Sequence, residues 1–259
     1  MSVKTVLAFD LDGTLAPSKS TLPPQMAGIM AQILERYQVC VISGGKFDQF
    51  RTQLIDGLDI GDDLLVKLHI MPTCGTQYYR YDNAAGEWRQ QYAENFTEDE
   101  KQTIIGALND GIDHLGLREP VVYGEIIEDR GSQITFSALG QDIVAQLGDE
   151  GVRLKEAWDP DHAKKNMLRN YVAGKIPEFE VRVGGGTSID ITKPGIDKAY
   201  GMNKLMELLE VGKDEILFYG DRLQEGGNDY PVKQLGIESI EVRDWEETAS
   251  RLTDLLQAK

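Results

Sequence analysis

Residues 6–15 constrain the fold of this chain more than any other stretch. They consist of four apolar residues, then Asp10 and Asp12 one position apart, then Gly13. Four consecutive apolar residues are typical of a strand that is buried on both faces, as in parallel sheets, and the glycine allows a sharp turn after it. Ligands of open α/β sheets bind beyond the carboxyl ends of the strands. The stretch therefore predicts a functional site at Asp10 and Asp12.

Two carboxylates at this spacing repel each other unless a cation or a shared proton relieves them. A hard cation such as Mg²⁺, which takes carboxylate and phosphate oxygens, meets that need. An EF-hand calcium loop starting at Asp10 is disfavoured, because its twelfth position is Thr21 rather than an acid. A plain Asp-Gly turn capped by Asp10 remains open on these residues alone.

Composition narrows the class of partner. The 259 residues carry a net charge of -16, which disfavours nucleic acid and anionic membranes as partners. Cys40 and Cys74 do not form a disulfide framework. The sequence has no signal-peptide pattern and no apolar run near the roughly 20 residues of a membrane span. We therefore expect a soluble, cytoplasmic protein that binds neither nucleic acid nor membranes.

A second buried strand is predicted at 39–42, after a helix that begins near Pro24. A strand, a crossover helix and a strand form a βαβ unit, so the two strands should be parallel and adjacent. This places Ser43 beside Asp10, where its hydroxyl and the N–H of Gly44 could hold a phosphate. On its own, Ser-Gly-Gly is more often a helix N-cap.

The middle third of the chain differs from both ends in its pattern of apolar and polar residues. The pattern of residues 82–185 predicts hairpins and amphipathic helices, one of which begins at Thr97. The pattern of a buried strand followed by an acid returns at 215–221, which ends in Asp221. We therefore predict an α/β, Rossmann-like core with a parallel sheet at 1–81 and 186–259, and an inserted α+β cap domain at 82–185.

Four motifs along the chain carry a family resemblance. They are residues 10–14, Ser43, Lys198 and the segment 220–229, and they fall in the order of the four motifs of the haloacid dehalogenase (HAD) superfamily. The long insertion resembles the class IIB cap. Within that class, the segments 184–191 and 195–198 resemble HAD-type phosphomannomutases and related sugar-phosphate phosphatases.

The resemblance implies catalytic roles. Asp10 would be the nucleophile that forms an aspartyl-phosphate, and Asp12 the general acid and base. Ser43 and Lys198 would hold the transferring phosphoryl group. Asp12 would meet the metal through its backbone carbonyl rather than its side chain. The implied ligands of Mg²⁺ are Asp10, Asp12, Asp221 and Asp229.

The resemblance also implies substrate-binding residues, in part altered here. Lys19 and Gln141 stand where the family carries arginines, and Tyr123 stands at the position of a third arginine. A neutral residue in place of a charged partner removes about 1.5–3 kcal/mol of charge-assisted bonding. The implied substrate contacts in this chain are Gly44, Lys19, Arg130, Gln141, Ser188 and Asp190.

We therefore predict a Mg²⁺-dependent HAD phosphohydrolase that acts on a sugar phosphate through an aspartyl-phosphate. The alternative is a phosphomannomutase that interconverts hexose 1-phosphate and hexose 6-phosphate. A non-catalytic binding module is a third possibility, disfavoured because folding does not require Asp10, Asp12, Lys198 and Asp221. The family's habit also implies a homodimer formed through the cap.

Overall fold

The computed structural model of the chain describes residues 3–258. Its strands are β1 Val6–Phe9, β2 Gln38–Ile42, β3 Leu68–Met71, β4 Gln77–Asp82, β5 Glu87–Ala93, β6 Ile127–Asp129, β7 Gln133–Ser137, β8 Glu180–Val183, β9 Ser188–Thr192, β10 Ile216–Gly220 and β11 Glu238–Glu241. Its α-helices are α1 Pro24–Arg36, α2 Phe47–Gln53, α3 Asp62–Leu65, α4 Glu98–His114, α5 Ile143–Leu147, α6 Asp149–Trp158, α7 Ala163–Lys175, α8 Lys198–Leu209, α9 Tyr230–Gln234 and α10 Trp245–Gln257.

The chain divides into two compact units. The core unit consists of Met1–Ala93 and Asp197–Lys259, and the inserted unit of Glu94–Ile196. Each unit has its own sheet, and its hydrophobic clusters consist of residues of that unit. Among residues 3–258, no helix combines the length and the apolar character that crossing a membrane would require.

The core unit is built on a seven-stranded sheet in the order β11-β10-β1-β2-β3-β4-β5. The first five strands are parallel, and β4 and β5 add an antiparallel hairpin at one edge. The predicted α/β class with a parallel sheet is thus confirmed. Parallel pairing puts the carboxyl ends of β10, β1 and β2 at the same edge of the sheet, which positions the site described below.

Both faces of the core sheet are covered, as the apolar run of β1 predicts. Leu7 and Phe9 pack in one cluster with residues of α1 and α10, while Val6 and Ala8 pack in another with residues of α8 and α9. Successive side chains of a strand point to opposite faces, so a strand between two layers must be apolar throughout. Burial of a side chain such as Leu7 contributes roughly 1.5–3 kcal/mol.

The inserted unit has a four-stranded antiparallel sheet in the order β6-β7-β9-β8. One face is apolar, through residues such as Ile134 and Ile189, and packs with Leu108 of α4 and Leu168 of α7. Because side chains alternate along a strand, the residues between them on β7 and β9 are polar and point to the other face. This alternation confirms the α+β character predicted for the insertion.

The boundaries of the insertion differ from the predicted 82–185. The hairpin of β4 and β5 extends the core sheet, because β4 pairs with β3, so the core unit continues to Ala93. At the other end, β9 pairs with β7 and β8 and belongs to the inserted unit, which ends at Ile196. Strand partners decide the boundary, and the local sequence does not encode them.

Candidate active site

The carboxyl ends of three neighbouring strands carry the predicted catalytic residues. β1 lies between β10 and β2 in parallel register. The backbone N–H of Asp10 donates to the carbonyl of Tyr219 at 3.0 Å, so the pairing reaches the first carboxylate. Ser43 follows β2, and Asp221 follows β10. Residues that are far apart in sequence therefore meet at one edge of the sheet.

Lys198 bridges two of the acids in the interior of the core unit. Its Nζ lies 2.6 Å from Oδ1 of Asp10 and 2.5 Å from Oδ1 of Asp229, and its side chain is fully buried. It is the first residue of α8, whose N-cap Asp197 accepts a hydrogen bond from the N–H of Tyr200. Burial lowers the pKa of Lys198, but Asp10 and Asp229 outweigh that effect and hold the pKa above its usual range.

The carboxylates here are crowded. Burial raises the pKa of Asp10 well above its usual range; Lys198 opposes this shift and Asp229 adds to it. Burial and the charge of Asp229 raise the pKa of Asp221 as well. Three carboxylates face the ammonium group of Lys198, and Nε of Arg222 lies 3.7 Å from Oδ2 of Asp221. Negative charge still exceeds positive charge in a region of low dielectric. The arrangement calls for a further cation.

A divalent cation fits the donor set. Asp10, Asp221 and Asp229 each offer a carboxylate oxygen, and these oxygens lie within 4.8 Å of one another. Oδ1 of Asp221 is buried and has no hydrogen-bond partner among residues 3–258, which leaves it available as a ligand. Hard oxygen ligands of this kind suit Mg²⁺. These residues could therefore hold a metal ion in the core unit.

Gly13 allows the turn after β1 to approach this cluster. Its φ of +83° lies in the left-handed region, and a Cβ at this position would lie 2.7 Å from Oδ2 of Asp221. Any side chain would therefore meet both backbone strain and a steric conflict. This explains why a glycine follows the two acids.

Asp12 is held apart from the metal cluster by three donors. Its Oδ1 accepts from the backbone N–H of Lys19 at 2.6 Å and from Nε2 of Gln53 at 3.2 Å, and its Oδ2 from Nε2 of Gln49 at 3.0 Å. The side chain of Asp12 is not part of the group of acids that could hold a metal within residues 3–258. A contact of its backbone carbonyl with the metal stays a prediction.

Gln49 and Gln53 were not predicted from the sequence. Both belong to α2, and residues four positions apart lie on the same face of a helix. Gln53 is only 3% exposed. Two polar residues at this spacing, on a face that also buries Phe50, are the signal that could have pointed to them.

The loop after β2 is braced by the turn after β3. The carbonyl of Ser43 accepts from the N–H of Cys74, and the carbonyl of Gly45 from the N–H of Thr73, both at 3.0 Å. Thr73 and Cys74 adopt left-handed backbone conformations, with φ of 48° and 57°. Ser43 itself is buried. The loop proposed to hold a phosphate, Ser43 to Gly45, is thus fixed from its far side.

In the inserted unit, the structure brings Arg130 and Gln141 together. Nε of Arg130 lies 2.7 Å from Oε2 of Glu128, and Nη2 donates to Oε1 of Gln141 at 3.4 Å. The carboxylate of Glu128 offsets the charge that Arg130 would offer a phosphate. Arg130 and Gln141 together thus present less positive charge than an arginine without a neighbouring carboxylate would.

Ser188 and Asp190 lie on the polar face of the same sheet. In the register of β7 and β9, Ser188 lies opposite Ser137 and Asp190 opposite Thr135. Oδ1 of Asp190 accepts from Oγ1 of Thr135 at 2.7 Å and from Nε2 of Gln133 at 3.0 Å. The carboxylate is therefore held in one orientation by its neighbours on β7.

Comparison with known proteins gives consistent sequence matches. A family model described as eukaryotic phosphomannomutase matches residues 26–258. A probable phosphomannomutase of Caenorhabditis elegans is 24% identical over 234 residues, which cover 89% of this chain and 87% of the relative. Phosphomannomutase 1 of Homo sapiens is 26% identical over 231 residues, which cover 88% and 83%.

Solved structures resemble the fold. An IMP-bound mutant of Plasmodium falciparum IMP-nucleotidase has a TM-score of 0.69 at 15% identity, over 99% of this chain and 68% of the other. A haloacid dehalogenase-like hydrolase of Bacteroides thetaiotaomicron has a TM-score of 0.64 at 14% identity, over 97% and 99%. At these identities the likeness concerns the fold alone.

Proposed function

Because the chain belongs to the family of eukaryotic phosphomannomutases, we propose that it interconverts hexose 1-phosphate and hexose 6-phosphate. Family membership confirms the resemblance inferred from the four sequence motifs. It also indicates that the chain is an enzyme. The sequence alone favoured hydrolysis of a sugar phosphate and kept the mutase as the alternative. The family model and the phosphomannomutase relatives support that alternative better.

The contact between Lys198 and Asp10 carries the proposal. A carboxylate is a competent nucleophile towards phosphorus when it is held in place and the charge around it is offset. Lys198 does both, since it lies 2.6 Å from Asp10 in a buried environment where charge interactions are strong.

In the first half-reaction, a carboxylate oxygen of Asp10 attacks the phosphorus of the substrate. The bond between phosphorus and the sugar oxygen breaks, and its electron pair leaves on that oxygen, which takes a proton from Asp12. In the second half-reaction, a hydroxyl of a hexose monophosphate attacks the phosphoryl group on Asp10 and gives its proton to Asp12. The bond between phosphorus and the Asp10 oxygen breaks, and its electron pair returns to the carboxylate. The return of the phosphoryl group to a sugar rather than to water is what defines a mutase.

A small set of residues near Asp10 in the core unit binds the phosphoryl group. We assign this role to Ser43, Gly44 and Lys198, which hold its oxygens as charge shifts during transfer. Mg²⁺ held by Asp10, Asp221 and Asp229 would supply further neutralisation of the phosphoryl oxygens.

Recognition of the sugar is assigned to residues outside this cluster. Ser188 and Asp190 present a hydroxyl and an oriented carboxylate, groups that suit sugar hydroxyls. Lys19 in the core unit and Arg130 with its neighbour Gln141 in the inserted unit are each assigned a contact with a phosphate of the substrate. The proposed substrate is thus a small phosphorylated sugar.

Hydrolysis of a sugar phosphate is the second candidate, and a specific observation favours it. A mutase must hold the second phosphate of its sugar while the phosphoryl group is on Asp10, a task suited to unpaired bidentate arginines. Here Arg130 lies 2.7 Å from the carboxylate of Glu128, and its neighbour Gln141 is neutral. Weaker retention would let water reach the aspartyl-phosphate before the sugar returns.

One assay separates the two candidates. Mannose 1-phosphate and glucose 1-phosphate are each supplied with Mg²⁺ and a catalytic amount of hexose bisphosphate, and the 6-phosphate isomer and free phosphate are followed in the same tube. Isomer that forms well ahead of free phosphate supports the mutase. Free phosphate without isomer contradicts it and supports the hydrolase. Asp10→Asn serves as the blank for both products.

A further inference from the structure

We propose that Gln49 and Gln53 are positioning residues that orient the carboxylate of Asp12 for proton transfer. The inference rests on the proposed role of Asp12 as acid and base, and it concerns the core unit alone. The two glutamines act through Asp12 and are assigned no contact with the reacting atoms.

The contacts form one connected network. Gln49 donates from Nε2 to Oδ2 of Asp12 at 3.0 Å and to Oε1 of Gln53 at 2.8 Å. Gln53 donates from Nε2 to Oδ1 of Asp12 at 3.2 Å. The backbone N–H of Lys19, in the loop between β1 and α1, adds a further donor to Oδ1. Each carboxylate oxygen is thus fixed by a donor from α2, which sets the rotation of the carboxyl group.

The chemistry determines how the amides are turned. The oxygens of the Asp12 carboxyl group accept, so both glutamines present their NH₂ groups to Asp12. Gln53 is 3% exposed, and burial of an amide without hydrogen-bond partners is unfavourable. Its contacts with Asp12 and Gln49 satisfy both ends of the amide. Asp12 therefore accounts for a glutamine at this buried position.

Gln49 also links Asp12 to the phosphate-binding loop. Its Oε1 lies directly over Gly45, where an added Cβ would collide with it. Gly45 belongs to the loop after β2 that begins at Ser43, the residue assigned to the phosphoryl group. The absence of a side chain at Gly45 thus leaves room for the glutamine that contacts Asp12.

A purely structural role predicts a different kinetic result. If the glutamines only stabilise the fold, their replacement lowers the rate with every phosphate ester by the same factor. If they orient the proton donor, the loss grows with the need of the leaving group for a proton. Dinitrophenolate leaves without a proton, whereas phenolate is much more basic and benefits from one.

The test compares kcat/KM for phenyl phosphate with kcat/KM for dinitrophenyl phosphate. This quantity reports formation of the phosphorylated enzyme, whichever step limits turnover. Gln49→Met and Gln53→Met each keep the side-chain length and remove the donors. The matched control is Thr52→Ala, an exposed residue of the same helix whose hydroxyl contacts the carbonyls of Asp48 and Gln49. Activity with dinitrophenyl phosphate verifies folding in each variant.

General acid catalysis contributes about 10²–10⁴-fold, so a misplaced acid should lower kcat/KM for phenyl phosphate roughly 10–100-fold. The loss with dinitrophenyl phosphate should stay within about threefold, and Thr52→Ala should resemble the wild type. Equal losses with both esters in both glutamine variants, or no loss with either, would overturn the inference. Because the test uses only aryl phosphates, a failure to isomerise hexose phosphates contradicts the proposed function and not this inference.

Discussion

Lys198 Nζ lies 2.6 Å from Oδ1 of Asp10 in the interior of the core unit, and both side chains are almost completely buried. The same ammonium group contacts Asp229. Breaking a buried ion pair leaves a charge without compensation, which is strongly unfavourable. The residue proposed to neutralise the phosphoryl group therefore also stabilises the resting fold.

Replacement of this lysine should cost stability as well as activity. We expect Lys198→Met to lower the free energy of unfolding by about 3–5 kcal/mol, because Asp10 and Asp229 then remain buried without their cation. Urea denaturation at pH 7 in EDTA measures the change. Lys204→Met, on the same helix, is the control and should cost much less. A loss below about 1 kcal/mol in Lys198→Met would contradict this account.

Metal removal should be visible in the stability of the protein. A ligand at 100 times its Kd stabilises the folded state by about 2.7 kcal/mol. We therefore expect Mg²⁺ to raise the Tm of the wild type, EDTA to reverse the shift, and Asp221→Asn to abolish it, since that carboxylate has an unpartnered oxygen in the part of the chain described. Asp214→Asn, at an exposed turn, should keep the shift. An unchanged shift in Asp221→Asn would exclude that residue as a ligand.

Gly13→Ala should weaken metal binding more than it weakens the fold. The left-handed backbone costs roughly 1–2 kcal/mol for a residue with a Cβ, and the new methyl group displaces Asp221. The midpoint of Mg²⁺ activation with an aryl phosphate should rise. Gly28→Ala in α1 is the control: nothing lies within 4 Å of its Cβ position, and alanine should stabilise the helix by roughly 0.5–1 kcal/mol. An unchanged midpoint in Gly13→Ala would contradict the prediction.

His69 should make stability depend on pH. Burial, helped by the charge of Arg80, lowers the pKa of His69 to about 3, while an unfolded histidine titrates near 6.5. Between these values the unfolded state binds more protons, so the contribution to stability is full above about pH 6.5 and declines as the pH falls towards 3. From pH 7 to pH 5 the loss should be about 2 kcal/mol.

Urea denaturation at both pH values tests this dependence. His69→Gln should lose less stability between pH 7 and pH 5 than the wild type does, whatever its absolute stability. His114→Gln replaces an exposed histidine and should retain the wild-type dependence. Equal losses in the wild type and His69→Gln would show that His69 does not titrate in the way its burial implies.

Much of the core unit could be predicted because buried parallel strands are short apolar runs, and Asp10 and Asp221 each end one. The start of α4 could be predicted as well. Thr97 Oγ1 accepts from the N–H of Glu100, whose carboxylate accepts from the N–H of Thr97, and this capping box is encoded by two residues three positions apart.

Other features depend on partners that are distant in sequence. The predicted boundaries placed β5 in the insertion and β9 in the core, the reverse of what the structure shows, because a strand's own residues do not identify the sheet it joins. The contacts of Gln49 and Gln53 with Asp12 were missed for the same reason. The roles of Ser43, Arg130 and Ser188 stay predictions that need substrate to be tested.

The most direct test of the central claim follows the phosphoryl group itself. The enzyme is mixed with a hexose 1,6-bisphosphate and Mg²⁺, quenched in acid, digested and examined by mass spectrometry; hexose 1-phosphate is added to a second sample before quenching. We predict a phosphate adduct on the peptide that contains Asp10, absent from Asp10→Asn, whose phosphoryl group passes in the second sample to hexose bisphosphate and hexose 6-phosphate. An adduct on another residue, or one lost only as free phosphate, would contradict this prediction.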